Sequence, residues 1–286
     1  MIPASFDYVA PATVEEAVRA LSEAGEDAKV LGGGQSLIPV LRLRLAAPTT
    51  VVDLAKISEL RGVRDDGDAI VVGAMTTHHD VLGDPLVAEH AALLVAATQT
   101  VADPQIRHRG TFGGALVHAD PAGDLLAPAV ALDAEMVIAG PGGRRTVPAA
   151  EFFVDLFTTA VGPDEVLVEV RIPKKTGWGA HYEKFSRIAQ AWSIVAVAAA
   201  VRTEGGSIAA ARVALTNMGH TPLRASGVEQ ALVGRPASAE TIRAAAGHAA
   251  EGTSPMSDLS ADVDYRVHLA RVLTGRALVT AAGVAG

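Results

Sequence analysis

The sequence contains two glycine-rich segments, Gly32-Gly33-Gly34-Gln35-Ser36 and Thr111-Phe112-Gly113-Gly114. Glycine has no side chain, so the backbone N–H groups of such a turn can approach a bulky anion and form a concave, partly positive site. Each segment alone is as typical of a structural tight turn as of a phosphate site. A diphosphate that joins two moieties needs amides from two directions, and the pair therefore favours a cofactor site.

The first segment does not match the common nucleotide motifs. No Gly-Lys-Ser/Thr follows it, as a P-loop requires, and Leu37 stands where the dinucleotide fingerprint has its third glycine. Nucleoside triphosphate chemistry is therefore disfavoured. Three glycines followed by Gln35 and Ser36 still predict several amides and two polar side chains around one point.

Composition limits the class of protein. The 286 residues are 49% hydrophobic, which is typical of a globular protein of about two domains. The net charge of −8 and the absence of a Lys/Arg block argue against nucleic-acid binding. The apolar run at 194–201 is far shorter than the ~20 residues that span a bilayer, and it predicts a buried strand.

The N-terminus and the cysteine count concern location and redox chemistry. The first seven residues lack the charged and apolar regions of a signal peptide, which predicts a cytoplasmic protein without a transmembrane segment. The sequence contains no cysteine, so it offers no thiol nucleophile, no disulfide and no thiolate ligands for an iron–sulfur cluster. Any such cluster must belong to a partner.

Local patterns predict a mixture of helices and strands. Thr13 and Glu16 form a capping box ahead of a helix that Gly25 ends, and Thr77 with Asp80 marks another helix start. The Ala/Leu-rich region 89–101 predicts one helix that ends before Asp103-Pro104. Strands are predicted at 29–31, 51–54, 69–74, 135–138 and 165–170. The order of these elements does not match a regular doubly wound sheet.

A polar segment at 173–177 predicts a domain boundary. Beyond it we expect three strands near 182–185, 194–201 and 211–215, with Gly205-Gly206 as a hairpin turn. Two helices should then cover 236–250 and 265–281.

Other candidate groups give weaker signals. His78, His79, His108 and His118 lack the spacing of a metal site, so we predict no metal, although His118 is a candidate neighbour of a cofactor. No Gly-x-Ser-x-Gly motif is present, and we assign no catalytic residue in this chain. Trp192 precedes an apolar strand, where core packing is its ordinary role and stacking on a flat ring is the alternative.

Taken in order, the motifs identify a family. The chain has an F-x-Y-x-x-P start at Phe6, then G-G-G-Q-S-L-I-P, G-A-M-T-T-H, D-P-Q-I-R-H-R-G-T-F-G-G, H-A-D-P-A-G-D and T-P-L-R-A, and it ends in a helix that begins at Tyr265. It resembles the FAD-binding medium subunits of molybdenum hydroxylases over nearly its whole length. The likeness is greatest to the carbon monoxide dehydrogenase branch of that family.

The resemblance implies an α+β fold. A two-lobed FAD-binding domain of the vanillyl-alcohol-oxidase (PCMH) type would cover residues 1–175, with lobes at about 1–57 and 58–175. A C-terminal domain of a three-stranded antiparallel sheet with helices would cover 178–283.

The resemblance also implies a set of cofactor-binding residues. Gly32 to Ser36 and Thr111 to Ala115 would hold the FAD diphosphate, and Lys184 would stabilise negative charge on the reduced flavin. The full implied set is Lys29, Val30, Leu31, Gly32, Gly33, Gly34, Gln35, Ser36, Val101, Thr111, Phe112, Gly113, Gly114, Ala115, Asp124, Leu167, Lys184 and Trp192.

The chain departs from the family pattern at several positions. Gly32 and Phe112 replace the usual Ala and Ile, which leaves backbone contacts intact, whereas Ala115 removes a polar side chain from the second segment. After Lys184 the family carries R-R-A-Q-D-W, and here Ile188 and Ala191 replace an arginine and an aspartate. The tuning of the flavin, or a subunit contact, is expected to differ accordingly.

The resemblance implies an electron-transfer subunit within a dimer of heterotrimers. A large subunit would hold the molybdenum cofactor and a small subunit two [2Fe-2S] clusters. FAD would pass electrons to an acceptor such as quinone, and the complex could associate peripherally with the inner face of the cell membrane. Two alternatives remain open: a self-contained FAD-dependent oxidase or reductase, and a nucleotide-binding scaffold without redox activity.

Overall fold

A computed structural model describes residues 2–285. The N-terminal part is a small parallel sheet of order β1-β3-β2, which packs against α1. Its elements are β1 (Asp7–Val9), α1 (Val14–Ala24), β2 (Ala28–Leu31), α2 (Leu37–Arg42) and β3 (Thr50–Asp53). Thr13 caps α1 through the Glu16 amide, as predicted, and Gly25 ends the helix with a φ of 77°. The predicted strands at 29–31 and 51–54 are therefore confirmed to within a residue.

The second part is an antiparallel sheet of order β4-β5-β10-β6-β7. Its strands are β4 (Val63–Asp66), β5 (Ala69–Gly73), β6 (Glu135–Gly140), β7 (Gly143–Pro148) and β10 (Val166–Pro173), and a separate hairpin is formed by β8 (Phe153–Asp155) and β9 (Thr158–Thr159). Buried Ile70, Val72, Met136 and Ile138 pack with the helices that lie between β5 and β6 along the chain.

Those helices are shorter and more numerous than predicted. They are α3 (His78–Gly83), α4 (Pro85–His90), α5 (Ala92–Gln99), α6 (Pro104–Arg107), α7 (Phe112–His118) and α8 (Leu126–Ala131), with α9 (Ala149–Phe152) after β7. The single helix expected over 89–101 is wrong, because Ala91 has a non-helical conformation with φ −140° and ψ 49°. Asp103 does not only end a helix: its side chain caps α6 through the Ile106 amide.

The C-terminal part is an antiparallel sheet of order β11-β12-β13-β14, covered by helices. Its elements are β11 (Gly179–Phe185), β12 (Val195–Glu204), β13 (Ser207–Thr216), β14 (Leu223–Arg224), α10 (Ser226–Leu232), α11 (Ala239–Ala246) and α12 (Val263–Ala282). The three predicted strands and the Gly205-Gly206 turn are confirmed, but the two-residue β14 makes the sheet four-stranded. The helix expected over 236–250 begins at Ala239 behind a Ser238 cap, and α10 was not predicted.

β12 packs on one face against the second part and on the other face against the helices of the C-terminal part. Its run 194–201 is buried on both faces, as predicted for a buried strand. Ala196, Ala198 and Ala200 belong to the same core as the second sheet, whereas Val197 and Val201 belong to the core beneath α12. Small side chains on one face let the neighbouring domain approach closely, and larger ones fill the space under the helix.

Candidate functional site

The two glycine-rich segments meet in space. A methyl group at Gly32 would lie 3.1 Å from the Thr111 hydroxyl, and one at Gly33 would overlap the carbonyl oxygen of Arg109. Gly113 is similarly confined, because a methyl group there would lie 2.5 Å from the Cβ of Ala74. Packing of one backbone segment against another is therefore a direct reason for glycine at these positions.

The first segment presents unused hydrogen-bond donors. Within residues 2–285, none of the backbone N–H groups of residues 33–36 donates to another group of the chain. Gly34 turns the chain with a φ of 78°, and the Gln35 side chain bonds back to the Gly33 carbonyl at 3.3 Å. Buried or half-buried amides without a partner are costly, so this turn is suited to an anionic or strongly accepting ligand.

The second segment is the start of a helix and not a turn with bare amides. The amides of Phe112 and Gly113 donate to the carbonyls of Thr76 and Ala74, both at 2.9 Å. The Gly114 amide donates to the Thr111 hydroxyl at 3.2 Å, and the Ala115 amide donates to the Thr111 carbonyl at 3.1 Å. The expectation of free amides at 112–115 is therefore wrong. This segment contributes a surface without bulky side chains beside the donors of the first.

A buried polar cluster lies where the C-terminal sheet meets the second part. The Lys184 ammonium bonds to Asp124 Oδ2 at 2.7 Å and to the Thr100 carbonyl at 3.2 Å. The hydroxyls of Tyr182 and Ser193 both donate to Asp124 Oδ1, at 3.0 and 2.9 Å. Asp124 and Lys184, both predicted as cofactor-binding residues, are thus paired directly with each other.

The environment controls the ionisation of this cluster. Burial raises the pKa of Asp124 above its ordinary value, while Lys184 and the two hydroxyl donors oppose that rise by stabilising the carboxylate. Burial also raises the pKa of Tyr182 well above its usual range, so its hydroxyl remains a proton donor. The chain therefore holds one ammonium and one carboxylate out of water, each satisfied by named partners.

The remaining predicted residues lie in different surroundings. Lys29 and Val30 are exposed on β2, and Leu31 is half-buried at its end, just before the first segment. Val101 is half-buried, with its carbonyl bound by Arg107 at 2.7 Å. Leu167 is 4% exposed within the core.

Trp192 is 57% exposed, so the expectation that it packs in the core is wrong. It lies directly before Ser193, whose side chain belongs to the Asp124 cluster, and in the same loop as Ile188, which is 72% exposed. A large ring left at the surface beside a buried charge pair is available for stacking.

The histidines do not come together as metal ligands in the described part of the chain, where no group of three His, Cys, Asp or Glu side chains suits a metal ion. His78 is buried, and burial together with nearby Arg107 lowers its pKa to about 4, which keeps the imidazole neutral. His79 stacks on His108 with ring centroids 3.8 Å apart. His118, a candidate neighbour of a cofactor, packs against Phe157 at 5.4 Å.

Two residues of the polar cluster were missed by sequence reasoning. Tyr182 lies two positions before Lys184 on β11, so the period of a strand places both side chains on one face. That spacing indicates that Tyr182 lies beside Lys184 on the sheet. Ser193 had no comparable signal, because its contact with Asp124 spans 69 positions and depends on the docking of the two parts.

The donor-rich turn, the glycine-rich helix start and the buried Lys184–Asp124 pair form a candidate binding site for an anionic cofactor. Comparison with known families agrees: residues 4–175 match the FAD binding domain in molybdopterin dehydrogenase, and residues 180–281 match the CO dehydrogenase flavoprotein C-terminal domain. The chain belongs to the family of FAD-binding medium subunits of molybdenum hydroxylases.

Individual relatives place the chain within that family. It is 42% identical to the carbon monoxide dehydrogenase medium chain of Hydrogenophaga pseudoflava, over 97% of both chains. It is 35% identical to the 6-hydroxypseudooxynicotine dehydrogenase complex subunit alpha of Paenarthrobacter nicotinovorans, over 98% of this chain and 96% of that one. A structure of reconstituted CO dehydrogenase from Oligotropha carboxidovorans superposes with a TM-score of 0.96 at 38% identity, covering all of both chains. The predicted likeness to the carbon monoxide dehydrogenase branch is confirmed.

Among the described residues, no helix has the length and apolar character needed to cross a bilayer.

Proposed function

We propose that this chain is the FAD-carrying electron-transfer subunit of a carbon monoxide dehydrogenase-type complex. The FAD-binding domain would cover 1–175 and the C-terminal domain 178–283. The diphosphate would lie against residues 32–36 and 111–115, and the isoalloxazine would lie between Lys184 and Trp192, with Lys29, Val30, Leu31, Val101, Asp124 and Leu167 completing the site. The family match, the unused donors of the first segment and the buried cation support this assignment.

Bound FAD would supply the redox chemistry, collecting electrons from the [2Fe-2S] clusters of a small subunit and delivering them to an acceptor such as quinone. The residues of this chain would bind the FAD, orient it and shield it from water. The amides of residues 33–36 would donate to the diphosphate, and the exposed Gly114 would leave room for it. Lys184, which is paired with Asp124, would place an N–H donor and positive charge near the ring, where it would favour the reduced, anionic form.

The partners follow from this division of labour. A large subunit would carry the molybdenum cofactor and the substrate pocket, and a dimer of heterotrimers would be the complete enzyme. We propose that it works in the cytoplasm, with peripheral contact at the inner face of the cell membrane where quinone is the acceptor. Because relatives of similar identity serve enzymes for carbon monoxide and for 6-hydroxypseudooxynicotine, the substrate is selected outside this chain.

The single observation that carries the proposal is the row of unused amides at residues 33–36, packed against a glycine-rich helix start. A structural turn would use its own amides, as the second segment does.

The test begins with purification of the full chain, alone and with its two partner subunits. We expect a yellow protein with FAD close to 1:1, reduced by carbon monoxide only when the partners are present. A chain that reduces its flavin alone with a small substrate would be a self-contained oxidase or reductase. A chain that holds no flavin in either preparation would be a scaffold. Reduction by an N-heterocycle and not by carbon monoxide would reassign the substrate of the complex.

A further inference from the structure

The Lys184 ammonium has one donor left over. An ammonium has three N–H groups, and two of them go to Asp124 Oδ2 and to the Thr100 carbonyl. Among residues 2–285, the third has no acceptor in the chain. The Lys184 side chain is only 10% exposed, so this donor is held in a confined position.

The position of Lys184 is set by Asp124, and the position of Asp124 is set by two hydroxyls. Tyr182 and Ser193 both donate to Oδ1, which leaves Oδ2 to the ammonium. The Tyr182 hydroxyl also lies 3.3 Å from the Thr216 hydroxyl, which fixes it from the other side. Tyr182 is 4% exposed and Ser193 2% exposed, so water does not compete for these bonds.

The cluster is connected along the chain to the second glycine-rich segment of the proposed flavin site. Thr100, which accepts from Lys184, precedes Val101, whose carbonyl is bound by Arg107 of α6. The chain then runs directly from α6 through Gly110 to the second glycine-rich segment. Asp124 lies on the loop that follows α7, the helix which that segment opens. Both anchors of the ammonium therefore flank the same short stretch of structure.

We propose that Tyr182 and Ser193 are positioning residues that act through Asp124 to aim the free N–H of Lys184 at the isoalloxazine. This inference rests on the proposed function. The role of each hydroxyl is to hold the carboxylate in one orientation, and the carboxylate holds the ammonium. A fixed, preorganised cation stabilises charge on the reduced ring better than a mobile one. The two hydroxyls thereby contribute to the reduction potential of the flavin.

The test compares midpoint potentials of bound FAD in the reconstituted complex for Tyr182→Phe, Lys184→Gln and the double variant. We expect Lys184→Gln to lower the potential, and Tyr182→Phe to lower it by a smaller amount with FAD still near 1:1. The effect of Tyr182→Phe should vanish in the Lys184→Gln background, because residues that act in series are not additive. Tyr265→Phe is the matched control, since the Tyr265 ring is 43% exposed and its hydroxyl has no partner among the described residues.

Several outcomes would overturn the inference. An unchanged potential in Tyr182→Phe with FAD retained would do so, and so would a shift of equal size in the Lys184→Gln background. If Tyr182→Phe fails to fold or to hold FAD, the same cycle with Ser193→Ala decides, because Ser193 donates to the same carboxylate oxygen from the loop between β11 and β12. Failure of the wild-type complex to hold FAD would instead remove the proposed function, so the two failures are distinguishable.

Discussion

At the scale of single residues, the glycines of the site have a different physical role from the one their pattern suggests. Bare glycine turns indicate space for a ligand, but Gly33 and Gly113 face Arg109 and Ala74 of the protein itself. In the first segment, the amides of residues 33–36 remain available to a ligand. The glycines therefore allow the close packing that places those donors, and their effect on binding is indirect.

We expect Gly33→Ala to reduce FAD retention strongly. The added methyl group would overlap the Arg109 carbonyl and force the first segment away from the second. Absorbance of the purified complex measures the ratio of flavin to protein. Gly83→Ala is the control, because nothing lies within 4 Å of a methyl group there, and it should hold FAD fully. Stoichiometric FAD in Gly33→Ala would contradict the site.

Substitution of Trp192 distinguishes a role in core packing from a role in ligand contact. Because its side chain is 57% exposed, Trp192→Ala should change the free energy of unfolding by no more than about 0.5 kcal/mol. If the indole stacks on the flavin, FAD affinity should fall, as measured by quenching of flavin fluorescence on titration of the apoprotein. A large loss of stability with unchanged affinity would reverse this assignment.

At the scale of elements, the short helix α7 begins beside the first glycine-rich segment, and its first turn is held by a cap. The Thr111 hydroxyl accepts a hydrogen bond from the Gly114 amide. The amides of Phe112 and Gly113 donate to backbone carbonyls in the loop after β5. A helix of seven residues has little stability of its own and depends on such contacts. The cap therefore fixes both the start of the helix and the surface that faces residues 32–36.

We expect Thr111→Ala to lower the free energy of unfolding by about 1 kcal/mol, because the Gly114 amide loses its acceptor. It should also weaken FAD binding, and Thr111→Ser should restore both properties. Thr13→Ala is a matched control: Thr13 caps α1 through the Glu16 amide at 3.1 Å but lies outside the site. Urea unfolding and FAD titration should show the same loss of stability in the control without the loss of affinity.

At the scale of the whole molecule, one carboxylate joins the C-terminal sheet to the second part. Asp133, just after α8, bonds to Arg224 at 2.6 Å, Arg212 at 3.0 Å and Lys175 at 3.1 Å. Burial alone would raise the pKa of Asp133, but hydrogen bonds from Arg224 and Arg212 outweigh it and lower the pKa to about 2. This ion-pair cluster connects Asp133 to β13, to β14 and to the segment that precedes the C-terminal sheet.

This ion-pair cluster makes the free energy of unfolding depend on pH. A carboxyl group with a depressed pKa contributes stability above its ordinary pKa of 3.8 and loses it as the pH falls toward about 2. Asp133→Asn should therefore lower the free energy of unfolding by about 1 kcal/mol at pH 7. The gap between variant and wild type should narrow below about pH 4.

Urea unfolding at pH 7, 5, 4 and 3.5 measures this gap. The control is Asp65→Asn, which removes an exposed ion pair with Lys174 and should have a smaller effect at pH 7. A gap that stays constant down to pH 3.5 would show that the charge of Asp133 is not what holds the two parts together.

The sequence by itself determined the family, the class of fold, most of the strands and the two glycine-rich segments of the proposed site. Those features depend on local patterns: strand periodicity, helix caps such as Thr13, and ordered motifs around Gly33 and Gly113. Only the tertiary structure decided which amides remain free, that Asp124 pairs with Lys184, and that Tyr182 and Ser193 hold that pair. The physical reason is that hydrogen-bond partners and burial are set by contacts between residues far apart in the chain, which no local pattern encodes.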